Sequence, residues 1–133
     1  MVAITKNIGD LFTTSKFFQE IFRDNSSNAA TIIAAATFNY RPEQKKIDDY
    51  SPFNGLYFTN LDNTSTVELR LNGDTENAFQ IGPASTFVIN AEEGINFNFF
   101  DVNNLHASNT IAIGDIKFRV SKSESKSVLT KVE

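Results

Sequence analysis

The chain has no cysteine and no tryptophan, and only one histidine and one methionine. Without cysteine, disulfides, thiolate nucleophiles and cysteine-based metal sites are excluded. The one histidine, His106 in "NNLHASN", cannot supply the several imidazoles of a cupin-type metal centre, and it reads as a loop residue. No nucleophile-elbow pattern surrounds a serine, and neither a G-x-G-x-x-G run nor a P-loop occurs. The carboxylate pairs Asp48-Asp49 and Glu92-Glu93 sit in polar turns and read as solvated charges. Asp74 and Glu76 near Gly73 fall short of the ligand count of a calcium loop. No enzyme is therefore expected, and no catalytic residue, metal or cofactor.

Long apolar runs are also missing. None approaches the roughly 20 residues of a membrane-crossing helix, so no membrane partner is expected. The opening "MVAITKNIGD" lacks a basic stretch followed by an apolar one, so no signal peptide is expected and synthesis is expected to be intracellular. Net charge is −4, and the one basic cluster, Lys45-Lys46, lies among acids. A nucleic-acid binder needs cations along one face to displace counterions, so none is expected here.

Thirteen phenylalanines are present in 133 residues, which suggests a core built on large aromatic side chains. From Gly55 onward the pattern is one of short strands. "TVELRL" alternates, with Val67, Leu69 and Leu71 inward, while "AFQI" and "STFVIN" place Phe79, Ile81, Phe87 and Ile89 on the same side. The spacing of turns predicts a mainly β chain, an antiparallel β-sandwich or jelly roll of about seven to eight strands. "ATIIAAATFNY", 30–40, allows helix or strand and is read as strand.

Ahead of this region, "DLFTTSKFFQEIFRD", 10–24, spaces Leu11, Phe17, Phe18, Ile21 and Phe22 so that a helix would gather them in an arc of roughly 140°. The resulting division is an N-terminal arm with a short amphipathic helix (1–28), a β-sandwich (29–121) and a flexible polar tail (122–133). The "RPEQKKIDDYSPFNG" stretch, 41–55, reads as a long interaction loop.

Two places break the alternation. In "INFNFFDV" the apolar parity changes between Phe99 and Phe100, by a bulge or by burial of both faces. In "TIAIGDIKFRV" it changes at Gly114-Asp115. A two-residue type II′ hairpin would set Ile113 opposite Ile116, and a glycine bulge in one long strand is the alternative.

The run from "YFTNLDN" through "IGPASTFVI" to "IAIGDIKFRV", about Gly55 to Val120, resembles small β-sandwich proteins of tailed-phage particles, the capsid decoration (cement) and related head–tail accessory proteins. The resemblance implies a non-enzymatic virion protein, a trimer or other small homo-oligomer, whose partner is the major capsid protein or another virion protein. Expected partner-binding residues are Phe17, Phe18, Ile21 and Phe22 on the helix face, with Tyr50 and Phe53 in the loop. The alternative is a carbohydrate-binding or host-adhesion module centred on Tyr50.

Overall fold

A computed structural model of the chain describes residues 12–131. In chain order the strands are β1 (Phe12–Ser27), β2 (Thr37–Tyr40), β3 (Gly55–Asn60), β4 (Val67–Leu71), β5 (Phe79–Ile81), β6 (Ser85–Ile89), β7 (Phe100–Asn104) and β8 (Ile116–Lys131). A helix, α1 (Gln44–Tyr50), follows β2, and a short 3-10 turn, Ala91–Glu93, follows β6. One four-stranded sheet runs β1-β8-β3-β6 and the other β2-β7-β4-β5, with every pairing antiparallel. The pairs nest: first with last, second with seventh, third with sixth, fourth with fifth.

Aromatic side chains from both sheets meet in one core. Phe118 of β8 lies edge-on to Phe100 of β7 and to Tyr40 of β2, each at 5.0 Å between ring centres. Phe58 of β3 meets Phe100 at 6.3 Å, and Phe79 of β5 meets Phe87 of β6 at 4.8 Å. Val67, Leu69 and Leu71 are buried along β4, while Glu68 and Arg70 are half-buried, as alternation predicts.

Over Phe12–Asp24 the expected helix is replaced by strand, part of β1, and Asp10 and Leu11 lie outside the described residues. What reads as helical spacing is a strand with a bulge. Ile21 has no opposite residue, because Glu20 pairs with Ser123 and Phe22 with Lys122. The extra residue flips parity, so Phe17 and Phe22 fall at offsets that mimic a helix face. The polar tail is corrected likewise: Lys122–Lys131 continues β8 against β1, with 132–133 outside the described residues. The loop 41–55 holds α1, and "ATIIAAATFNY" supplies β2 only at its end.

At Gly114 neither the hairpin nor the bulge is formed. Ile111 forms a bridge with Ile32, and Ile113 is 62% exposed. Asp115 N–H donates to Ala112 O at 3.2 Å across a turn whose third residue, Gly114, has φ +82°. That is the place where a type II turn requires glycine. Asn28, fully buried, fixes this turn: its amide donates to Ala30 O and Ala112 O, both at 2.9 Å, and its Oδ1 accepts Ile116 N–H at 3.0 Å.

The parity change at Phe99-Phe100 is a strand end. Phe97 forms a bridge with Phe53, and β7 begins only at Phe100. In between, Asn72 Oδ1 accepts the Asn98 and Phe99 N–H groups, at 2.7 and 3.4 Å. Phe97 and Phe100 are both fully buried.

Candidate interaction surface

β3 pairs with β8 only from Ile116 to Ser121. Past Ser121, β8 keeps β1 as its one neighbour, so 12–22 and 122–131 form a two-stranded ribbon continuing beyond the sheet. Two features mark the end of the β3 ladder. At Gly55, opposite Ser121, an added Cβ would collide with the Ser121 hydroxyl, so the side chain of Ser121 occupies the space glycine leaves. One residue earlier, the Asn54 side chain stands in for backbone. Its Nδ2 donates to Ser123 O at 2.7 Å, and its Oδ1 accepts Ser123 N–H at 2.9 Å.

The base of the ribbon is anchored by side chains of β1. Phe22 stacks on Tyr50 at 4.4 Å and on Phe53 at 5.6 Å, and Phe53 in turn meets Phe97 at 5.9 Å. Asp24 accepts the Tyr40 hydroxyl at 3.2 Å and pairs with Lys46 at 3.0 Å, tying β1 to β2 and α1. Burial, then the charge of the Asp24 carboxylate and the hydrogen bond to it, push the Tyr40 phenol above its ordinary value.

The six residues expected to bind a partner divide into three groups. Phe17, Phe18 and Ile21 are 46%, 42% and 41% exposed. They lie on a strand rather than a helix, and Phe17 and Phe18, being consecutive, face opposite sides of the ribbon. Phe22 and Tyr50 are half-buried against each other. Phe53 is fully buried and belongs to the core, so its expected contact role is withdrawn: "SPF" delivers the ring inward beside Phe97. Large apolar side chains exposed on a two-stranded ribbon have too little sheet around them to be buried intramolecularly.

The ribbon also differs in charge from the body. Residues 12–23 and 122–131 carry five Lys or Arg against two Glu, whereas 24–121 carry six against twelve Asp or Glu.

Sequence reading missed a second surface, on the outer side of the β1-β8-β3-β6 sheet. Asn25, Arg119, Tyr57 and Val88 form one row across four strands. Arg119 lies over the Tyr57 ring at 5.4 Å, and Tyr57 is 44% exposed. Asn25, Arg119 and Tyr57, with Ser26, Thr59, Leu61 and Lys117, line a shallow depression of about 610 Å³. The available signal was alternation: Leu56 and Phe58 point inward, so Tyr57 must point out.

His106 lies in the β7–β8 connection and serves the backbone there. Its Nδ1 accepts the Ser108 and Asn109 N–H groups at 3.0 and 2.8 Å, which assigns the ring proton to Nε2. Asp62 sits in the β3–β4 turn, where Ser65 N–H reaches it at 2.6 Å, with Thr64 N–H and Asn109 Nδ2 each at 3.0 Å. Burial alone would raise its pKa, but these donors together with the Ser65 hydroxyl hold the carboxyl below the usual range. No family model matches the chain, and neither the curated proteins nor the solved structures contain a significant match to it.

Proposed function

We propose that the protein is a non-enzymatic structural component of a virus particle, a β-sandwich of the jelly-roll type that decorates a bacteriophage head. It would be made in the host cytoplasm and bind the major capsid protein or another virion protein as a homo-oligomer. The nested strand order, β1-β8-β3-β6 beside β2-β7-β4-β5, supports the jelly-roll reading, since two interleaved Greek keys generate that order. Jelly rolls serve viral shells and lectins as well as cupin-type enzymes.

The observation that carries the structural role is a body filled with aromatic side chains from which a ribbon bearing exposed Phe17, Phe18 and Ile21 extends. Phe53, Phe58, Phe97 and Phe100 occupy the interior where an enzyme of this fold would keep its pocket. An extended arm with apolar residues on both faces suits insertion between neighbouring subunits. The test is to mix the purified protein with isolated phage heads and sediment them. Saturable co-sedimentation, weakened by Phe17→Ser with Phe18→Ser, is the expected result; absence of binding overturns the role.

The exposed Tyr57 ring beside Arg119 and Asn25 favours one second reading, a carbohydrate-binding or host-adhesion module. Its platform is Tyr57, because Tyr50 is stacked on Phe22. Glycan-array binding lost on Tyr57→Ala would establish this reading, and an array without hits would remove it.

A further inference from the structure

We infer that the ribbon pairs with the ribbon of a second copy of this chain, β1 edge to β1 edge about a two-fold axis at Phe18. The inference rests on the reading of the ribbon as an assembly surface. It adds the partner, the register and the symmetry.

Four observations lead to it. Among the described residues β1 is paired on one side only over all sixteen residues, whereas β8 is so only past Ser121 and the edge strands β2, β5 and β6 have four, three and five residues. A long edge strand leaves a row of backbone donors and acceptors open to another strand, and short edges are a usual protection against this. From Phe12 to Ser27 the strand contains neither proline nor glycine to block such pairing. Past Ser121 the ribbon has only two strands, which are marginal in water until a further strand joins them. The strand carries both signs of charge, Lys16 and Arg23 with Glu20 and Asp24, so a second copy of it can offer opposite charges.

The register follows from self-complementarity. An antiparallel pairing of β1 with itself is isologous, so each contact occurs twice. Centring it on Phe18 sets Phe18 against Phe18 and puts Lys16 of each copy opposite Glu20 of the other, two opposite-charge pairs per dimer. Glu20 is already near Arg23 of its own chain at 2.8 Å, an exposed pair that leaves Glu20 open to a second cation. Shifting the axis halfway between residues 19 and 20 would place Lys16 against Arg23, which is repulsive. Centring on Glu20 would oppose two glutamates. The bulge at Ile21 limits the matched ladder to Lys16 through Glu20, because the faces exchange beyond it. The assembly is a dimer, one of the small homo-oligomers that the phage resemblance allows beside a trimer.

The experiment is solution mass by sedimentation equilibrium at micromolar concentration, with K16E, E20K and the double reversal K16E/E20K. The wild-type chain should be dimeric, each single reversal should weaken the dimer about tenfold or more, and the double reversal should restore it. Because the chain has no cysteine, Phe18→Cys gives an independent check. Mild oxidation should convert it into a covalent dimer, while Phe17→Cys, off the axis, should convert poorly. A monomeric or trimeric wild type, single reversals without effect, a double reversal that stays monomeric, or equal cross-linking of the two cysteine variants would each overturn the inference. A dimer that fails to bind phage heads removes the virion role and leaves the self-pairing standing.

Discussion

Asn54 and Ser123 bond reciprocally, side-chain amide to backbone, with Nδ2 to Ser123 O at 2.7 Å and Ser123 N to Oδ1 at 2.9 Å. The amide extends the β3–β8 ladder by one step after Gly55, then releases β8 into the ribbon. The junction between body and ribbon therefore depends on one side chain that is only 9% exposed.

Asn54→Ala leaves both backbone groups of Ser123 without that partner and should destabilise the protein by about 1–3 kcal/mol. Chemical denaturation measures the loss. Limited proteolysis should show faster cleavage near Ser123 in the variant than in the wild type; equal cleavage would contradict the junction role.

Core and ribbon should respond oppositely to truncation. Phe100 is fully buried and touches Tyr40, Phe58, Phe97 and Phe118, so Phe100→Ala should cost about 3–5 kcal/mol. Phe18 is 42% exposed, and Phe18→Ser should change the stability of the isolated chain by no more than about 0.5 kcal/mol. Thermal unfolding at a concentration low enough to suppress association separates the two.

Stability should fall at both ends of the pH scale for identifiable reasons. The Asp62 carboxyl is held low in the folded state, so its contribution is present above about pH 4, the unfolded value, and is lost as pH falls through the folded one. Asp62→Asn should lower stability at neutral pH and flatten the acid limb of the stability curve. A variant with an unchanged acid limb would show that another group dominates it.

Tyr40 acts in the opposite direction. Its phenol is pushed up, so the stability linked to it is complete below about pH 10 and is lost as pH rises through the folded value. In Tyr40→Phe the alkaline limb should be shallower, as measured by denaturation between neutral and strongly alkaline pH.

The strands β3 to β6 were legible because the core lies on one side of them. Burial of one face imposes a period of two, and Val67/Leu69/Leu71, Phe79/Ile81 and Phe87/Ile89 carry it. β1 and the end of β8 were not legible for the converse reason. Phe22 is the last side chain of the ribbon to pack on the core; residues 17–21 and 124–127 are exposed, so burial imposes no period on "SKSESKS". In β1, the bulge at Ile21 breaks the remaining one. The buried asparagines were equally hidden. Composition assigns asparagine to turns, yet Asn28, Asn60 and Asn104 are fully buried at strand ends and hold the connections by side-chain hydrogen bonds. Which amide has that task depends on where distant loops arrive. Of the interaction surface, the exposed Phe17, Phe18 and Ile21 were picked out by their apolar character, whereas the fate of Phe53 was decided by its bridge to Phe97, forty-four residues away.

The most direct test of the account is whether the two ends of the chain are zipped together. Gln19 stands opposite Glu124 in the β1–β8 ladder, and the natural chain has no cysteine to interfere. Gln19→Cys combined with Glu124→Cys should form an intramolecular disulfide on mild oxidation, with a yield independent of protein concentration. A pair of free thiols, or cross-links found only between chains, would contradict the ribbon.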